Sequence, residues 1–245
     1  MILVFGGTTE GKQVANILDA LALPYFYSTK TQVVFTGNGT GIYGEMTTDI
    51  LTSFCIAHKI THIINASHPF ALQLHQMIVN LSLDIPLIRF QRIFLPRVSH
   101  PLVTYVTSYE EAVALFTTNN YQSLLALSGV QTIAKLESYW KNHPCWFRIL
   151  DRDSSRAIAT QANFPETHLL FGYPQFKTEE IALFTQIAPE VIFTKESGSN
   201  GKLEEKIQAA LAVNIPIVIL KKPELSNRYL CVDTPEELVE AIGKG

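Results

Sequence analysis

Residues 2–11 read Ile2-Leu3-Val4-Phe5-Gly6-Gly7-Thr8-Thr9-Glu10-Gly11, four apolar residues running into a glycine turn that opens an amphipathic stretch near Thr9–Leu21. A short apolar run bounded by such a turn is a buried strand, and the change to helical spacing after it marks a strand–turn–helix unit. Aligned with G-x-G-x-x-G, the turn keeps the first and third glycines, Gly6 and Gly11, while Thr8 replaces the second. Gly6 permits the tight turn and Gly11 permits close helix–strand packing. A helix N-terminus offers N–H groups and a positive dipole end to a phosphate, and Thr8 and Thr9 add hydroxyl donors. Without the second glycine the backbone stays slightly further from a pyrophosphate. Glu10 favours the helix dipole but repels a phosphate unless it points away. Two readings stand: a dinucleotide turn built on Gly6, Gly7, Thr8 and Thr9, or a plain strand–turn–helix with glycines for geometry.

Outward from this turn, apolar runs alternate with amphipathic stretches. Ile2–Phe5, Pro24–Tyr27, His62–Asn65 and Pro86–Phe90 read as strands, with helices near Thr9–Leu21, Thr47–His58 and Phe70–Leu83. Beyond a break, Leu124–Leu127, Trp146–Leu150, Val191–Thr194 and Ile215–Leu220 are strand-like, and Ser108–Thr117, Val130–Trp140, Thr178–Ile187 and Lys202–Val213 helix-like. Strand–helix alternation implies α/β architecture with mainly parallel sheets covered on both faces. The break, near Leu95–Pro101, holds Pro96 and Pro101 and no regular period, so two lobes are expected, 1–98 and 99–245. A (β/α)₈ barrel is the competing architecture. The glycine turn favours two open sheets. No convincing repeat relates the halves.

The 245 residues are 47% hydrophobic and 17% charged, with net charge −3 and mean hydropathy +0.15. That suits a well-packed core and supplies no global basic field for nucleic acid. Cys55, Cys145 and Cys231 form no disulfide framework and read as small buried residues of a reducing compartment. A strand pattern from the first residues and the lack of a long apolar run lead to the expectation of a cytoplasmic protein without signal peptide or membrane span. His58, His62, His68 and His75 have no paired-ligand spacing, so no metal site is expected. Gly198-x-x-Gly201-Lys202 is too short for a P-loop, and no Gly-x-Ser-x-Gly elbow occurs.

Ligands of open α/β sheets bind outside the carboxyl ends of the strands. The clusters expected there are Asn65-Ala66-Ser67-His68-Pro69-Phe70, Ser128-Gly129 and Lys195-Glu196-Ser197-Gly198, facing one cleft between the lobes. His68 is the best candidate for positioning, with a structural turn before Pro69 as the alternative. Ser197 and Gly198 could equally cap the next helix. Lys195 ends a β-branched strand and needs an anion if buried. Arg89, Arg92 and Arg148 are candidates for substrate carboxylates, or surface groups. No acidic residue stands between Asp19 and Glu45, where an NAD site places its ribose ligand; Ser28-Thr29-Lys30-Thr31 favours the 2′-phosphate of NADPH over NADH, although Lys30 could be an ordinary surface lysine.

Taken together and in order, these segments resemble the precorrin-6A reductase family of cobalamin biosynthesis. The resemblance is carried by Gly6-Gly7-Thr8-Thr9-Glu10-Gly11, Tyr43-Gly44-Glu45-Met46-Thr47, Asn65-Ala66-Ser67-His68-Pro69-Phe70-Ala71 and Ile85-Pro86-Leu87-Ile88-Arg89-Phe90-Gln91-Arg92. Leu127-Ser128-Gly129, Phe147-Arg148-Ile149-Leu150, Thr194-Lys195-Glu196-Ser197-Gly198 and Ile215-Pro216-Ile217-Val218 continue it. It departs at Asn65, where the family commonly has Asp, and at Ile93 and Asp151, where it commonly has Pro. The resemblance implies two Rossmann-like lobes with the active site between them. It implies NADPH-dependent reduction of a ring double bond of precorrin-6A to precorrin-6B, with the cobalt-containing substrate and NADH as the anaerobic alternative. It puts the cofactor on Gly6, Gly7, Thr8 and Thr9, and places Ser67, His68, Ser128, Gly129, Lys195, Ser197 and Gly198 along the cleft. No catalytic acid is assigned. A non-catalytic NADP(H) sensor and a reductase of a smaller substrate are the competing functions.

Overall fold

The protein is described by a computed structural model covering residues 1–92, 94, 96–198 and 201–243. The chain folds into two units: Met1–Ile93 with Pro223–Gly245, and Phe94–Lys222.

The first unit runs β1 (Ile2–Phe5), α1 (Thr9–Ala20), β2 (Tyr25–Thr29), β3 (Thr40–Tyr43), α2 (Thr48–Ala57), β4 (His62–Asn65), α3 (Leu72–Val79) and β5 (Leu87–Phe90). The second holds β6 (Val103–Val106), α4 (Tyr109–Thr118), β7 (Leu124–Ala126), α5 (Thr132–Lys135), α6 (Glu137–Trp140), β8 (Cys145–Ile149), α7 (Asp153–Gln161), β9 (Leu169–Phe171), α8 (Lys177–Ile187), β10 (Val191–Lys195), α9 (Leu203–Ala212) and β11 (Ile217–Leu220). The chain then returns to the first unit with β12 (Tyr229–Val232) and α10 (Pro235–Gly243).

Each sheet has six strands, all pairings parallel. In β1, Ile2 and Val4 pack with Val14 and Leu18 of α1 on one face; Leu3 and Phe5 pack with Leu51, Cys55 and Ile78 on the other. Successive side chains point to opposite faces, so a strand buried on both reads as a continuous apolar run. In the second unit, Leu125, Ile192, Ile217 and Ile219 face Phe184 of α8 and Ala209 and Ala210 of α9. Burying one such aliphatic side chain contributes roughly 1.5–3 kcal/mol.

The first sheet reads β3-β2-β1-β4-β5-β12 and the second β9-β8-β7-β10-β11-β6. Both follow the doubly wound order 3-2-1-4-5-6, with the switch point between the third and fourth positions. The sixth strand is exchanged in sequence: β6 leaves the first unit to complete the second sheet, and β12 comes back to complete the first. The exchanged segments share a pattern missed as a repeat, Thr107-Ser108-Tyr109-Glu110-Glu111 and Asp233-Thr234-Pro235-Glu236-Glu237. Ser108 Oγ accepts from Glu111 N at 3.0 Å while Glu111 Oε2 accepts from Thr107 N at 2.6 Å. Thr234 Oγ1 and Glu237 Oε2 do the same at 3.2 and 3.0 Å. Each is a reciprocal helix-start box.

The expected division at residue 98 is therefore corrected twice. The units change at Ile93/Phe94, and Pro223–Gly245 belong to the first unit because β12 pairs with β5 from Tyr229↔Leu87 to Val232↔Phe90. The expected helix Val130–Trp140 is two short helices, α5 and α6, broken at Leu136. Cys55 and Cys145 are buried as expected, whereas Cys231, on the edge strand β12, is exposed.

Candidate functional site

The carboxyl ends of β1 and β4 meet at the switch point of the first sheet. After β1 the chain turns through Gly7, whose φ of +85° lies in the left-handed region that favours glycine. Gly6 N donates to Ser28 O at 2.9 Å, and Gly7 N donates to the Tyr27 hydroxyl at 3.0 Å. A Cβ at Gly6 would lie 2.2 Å from Tyr27 Cζ, and one at Gly11 would lie 2.7 Å from Gly6 Cα and 2.8 Å from the Tyr27 hydroxyl. The first and third glycines thus admit the Tyr27 ring beneath the turn and bring α1 onto β1. Thr8 is the N-cap: its Oγ1 accepts from Gly11 N at 3.0 Å and donates to Ala66 O at 2.6 Å. The Gly7 N–H is thus engaged by Tyr27 of β2, and the Thr8 hydroxyl, expected to face a phosphate, by Ala66 after β4. Gly7 and Thr9 are exposed beside the start of α1. Glu10 is buried and meets Arg92 at 2.7 Å, an arrangement that balances the carboxylate at the helix start.

After β4, Asn65 Oδ1 gathers three donors: Ser67 N at 3.1 Å, Ser67 Oγ at 2.6 Å and Arg89 Nη1 at 2.8 Å. Arg89 also donates to Asn65 O and Ser67 O, and is buried. The Asn65 amide donates to the Tyr229 hydroxyl at 3.0 Å, so β12 supports the same knot. Arg89, expected to meet substrate, spends its guanidinium shaping this turn. An Asn at position 65 suits a site that needs both an acceptor for Arg89 and a donor for Tyr229. Ser67 Oγ lies 3.3 Å from His75 Nε2. Burial, then the Arg89 charge, push His75 down to about 4. His68 is exposed at the end of this segment, with Nδ1 accepting from Phe70 N at 3.2 Å. Ser28 is buried at the end of β2. Lys30 forms an ion pair with Glu45; both side chains are more than 70% exposed, so the pair contributes little, about 0–1 kcal/mol.

In the second unit the switch point lies between β7 and β10, and Ser128-Gly129 and Lys195-Glu196-Ser197-Gly198 fall there. Gly129 has a φ of +82°. The hydroxyl oxygens of Ser128 and Ser197 are buried without a hydrogen-bond partner. Two such hydroxyls at adjacent strand ends suit the oxygens of a bound anion. Burial pushes the Lys195 ammonium down to about 8, and its Nζ lies 5.8 Å from the Tyr109 ring centroid. Glu196 points elsewhere: its carboxylate receives Arg97 Nε at 2.9 Å and Lys222 N at 2.8 Å. Arg148, the other arginine expected at substrate, is buried in a two-pronged pair with Glu180 at 2.7 and 2.8 Å. Beside the pair, burial pushes Lys206 down to about 8, and its Nζ donates to Thr194 Oγ1 at 3.4 Å. Sequence reading missed Tyr27, Tyr229 and Lys206. Each is brought to its polar partner by contacts between segments far apart in the chain, which nothing local announces.

Apart from Ser28 and Lys30 at the end of β2 and Arg92, paired with Glu10, the expected site residues fall into three groups. Gly6, Gly7, Thr8, Thr9, Ser67 and His68 gather at the first switch point; Ser128, Gly129, Lys195, Ser197 and Gly198 gather at the second. Arg89 and Arg148 are built into the core. Ile93 lies outside the described residues. Among the described residues no cluster of three His, Cys, Asp or Glu side chains could hold a metal, and no helix is long and apolar enough to cross a membrane.

Residues 1–243 match the family described as Precorrin-6x reductase CbiJ/CobK. The chain is 26% identical over 238 residues to the Cobalt-precorrin-6A reductase of Methanothermobacter thermautotrophicus, covering 92% of this chain and 77% of that one. It is 27% identical over 217 residues to the Cobalt-precorrin-6A reductase of Priestia megaterium, covering 81% and 79%. The Precorrin-6A reductase of Rhodococcus erythropolis is 27% identical over 251 residues, covering 99% and 97%. A solved structure described as CobK precorrin-6A reductase shares the fold, with TM-score 0.80 at 19% identity over 99% of this chain and 96% of that one. Because the match runs through both units and both switch points, the chain belongs to the CbiJ/CobK family of precorrin-6x reductases, and it is an oxidoreductase.

Proposed function

We propose that this protein reduces a ring double bond of precorrin-6A, giving precorrin-6B, with NADPH as the hydride donor. The observation that carries the reading is the joining of two distant motifs at the first switch point, where Thr8 Oγ1 donates to Ala66 O at 2.6 Å. That contact sets the start of α1 beside Ser67 and His68, where doubly wound sheets bind dinucleotides. A nicotinamide dinucleotide fits this turn: Gly6 and Gly11 are too crowded for any side chain, Gly7 needs its positive φ, and α1 opens there with its dipole end.

When bound, the nicotinamide supplies hydride; the chain's own task is binding and orientation. Thr9 and the first turn of α1 hold phosphate oxygen, and His68 positions the reacting end. In the second unit the orphan hydroxyls of Ser128 and Ser197 donate to a substrate carboxylate, with the Lys195 ammonium beside it. At the end of β2, Ser28 and Lys30 receive the 2′-phosphate; the exposed Lys30–Glu45 pair is weak enough for a doubly charged phosphate to take the lysine. The names of the Methanothermobacter and Priestia relatives favour a second reading, the cobalt-containing substrate with NADH as the donor.

The test mixes the protein with precorrin-6A and NADPH, and separately with the cobalt-containing form and NADH, and follows loss of nicotinamide absorbance. Oxidation in either arm supports the reductase and identifies the branch. NADPH binding without oxidation in either arm would replace the reading with that of a sensor.

A further inference from the structure

Among the described residues, the large apolar side chains left exposed in the second unit are Val98, Phe171, Tyr173 and Phe176, and three of the four lie within six residues. Phe171 is the last residue of β9, and the other two belong to the loop that carries the chain to α8. All strands of the sheet are parallel, so this loop emerges at the carboxyl edge, the edge that also presents Ser128 and Lys195. Tyr173 and Phe176 are 68% and 62% exposed. Leaving the Tyr173 and Phe176 rings largely in water forgoes the burial that normally makes such side chains worthwhile, which marks this loop as a binding surface.

Two rings carry a cation on one face. The Arg156 guanidinium sits 3.9 Å from the Phe171 ring centroid, and Lys202 Nζ sits 3.1 Å from that of Phe176. Arg156 also holds Asp151 at 2.8 Å and Glu166 at 3.3 Å, so its charge is balanced locally and its part is to fix the ring. Lys202, on the loop after β10, brings its ammonium to the aromatic loop from the switch-point side. Arg152, exposed directly after β8, stands at the intervening strand end. At about 4.8 Å between strands, β9 lies about 10 Å from β7 and about 14 Å from β10. A ligand reaching from the aromatic loop to Ser128 must therefore be broad, must stack on rings and must carry several acidic groups.

We propose that Tyr173 and Phe176, with Lys202, form a stacking face for the conjugated part of a broad tetrapyrrole bearing several carboxylates. The inference rests on the reductase reading for the identity of that ligand. The aromatic loop holds one part of the macrocycle against its π faces, Lys202 meets a carboxylate arm, and the switch-point hydroxyls receive another. The loop determines substrate specificity and takes no part in hydride transfer.

The test uses the full-length protein with uroporphyrin III, a planar tetrapyrrole with eight carboxylates, and follows porphyrin absorbance and emission on titration. Tyr173→Leu/Phe176→Leu keeps the surface apolar and removes the π faces; Lys202→Gln removes the charge. Circular dichroism confirms that each variant is folded. Saturable binding by the unaltered protein is expected, weakened about tenfold by the double leucine change, as loss of one or two ring contacts implies. Phe176→Tyr, which keeps the π face, retains binding, and Lys202→Gln flattens its dependence on salt. Absence of saturable binding by the unaltered protein, or equal affinity in the leucine variant, overturns the proposal. So does a leucine variant that changes only the sedimentation behaviour, since the face would then cover a second copy of the chain. With precorrin-6A and NADPH, the leucine variant should raise KM for the tetrapyrrole and leave KM for NADPH in place. If precorrin-6A is not reduced at all while uroporphyrin III binding still depends on Tyr173 and Phe176, the reductase reading fails and the stacking face stands.

Discussion

Gly6→Ala is the sharpest probe of the turn that organises the first switch point. The new methyl would lie 2.2 Å from Tyr27 Cζ, 2.3 Å from its hydroxyl and 2.5 Å from Cε2, all far inside van der Waals contact. Tyr27 cannot swing aside without cost, because it is 2% exposed and stacks on Phe35 at 4.3 Å with the rings 9° from parallel. Overpacking a core costs about 1–3 kcal/mol. Moving the hydroxyl also breaks the bond from Gly7 N, worth about 1 kcal/mol. The expected loss is therefore about 2–4 kcal/mol, localised in the first unit. Urea unfolding followed by far-UV circular dichroism reports it. Trp140 and Trp146 are the only tryptophans and both lie in the second unit, so their fluorescence serves as an internal reference. The decisive experiment is a double-mutant cycle with Tyr27→Val, which removes the obstructing ring. In that background Gly6→Ala should cost under about 1 kcal/mol, because only ordinary residue preferences remain. An equal cost in both backgrounds would refute the packing argument and return Gly6 to a purely conformational role.

Other perturbations test the remaining elements. Arg148→Met should destabilise the second unit by about 3–5 kcal/mol, because it leaves the fully buried Glu180 unpaired; Arg148→Met/Glu180→Leu should recover most of that in tryptophan-monitored urea unfolding. His75 is held neutral in the fold with its pKa pushed down to about 4, so its contribution is present above the ordinary histidine value of about 6.5 and is lost as pH falls towards 4. The urea midpoint of the first unit should therefore drop between pH 7 and pH 4.5, and His75→Gln should flatten that part of the profile. Lys30→Asp should lower the preference for NADPH over NADH by about tenfold or more, read as the ratio of the two KM values; an unchanged ratio would sink the assignment of the 2′-phosphate to this lysine.

The eight strands legible in the sequence are the eight interior strands, β1, β2, β4, β5, β7, β8, β10 and β11. The four that escaped, β3, β6, β9 and β12, are the four sheet edges. An interior strand of a parallel sheet is buried on both faces, and Ile2–Phe5 or Ile217–Leu220 therefore shows as an unbroken apolar run. An edge strand such as Thr40-Gly41-Ile42-Tyr43 or Tyr229-Leu230-Cys231-Val232 is partly exposed and carries no such run. The strand-end clusters were legible for the same local reason: turns and helix starts draw on glycine, serine and threonine within a few residues.

What the sequence by itself determined was the strand–turn–helix units, the doubly wound class and the segments that mark the family, because each rests on interactions within a dozen residues. Only the tertiary structure decided which sheet takes each sixth strand, since β6 and β12 bear the same helix-start box and either would satisfy it locally. The pairings of β6 with β11 and of β12 with β5 rest on contacts far apart in the chain that no local pattern encodes. The arginines follow the same logic. Nothing near Arg89 or Arg148 in the chain announces Asn65, 24 residues away, or Glu180, 32 residues away, and a buried guanidinium is set by the acceptor that the fold brings to it.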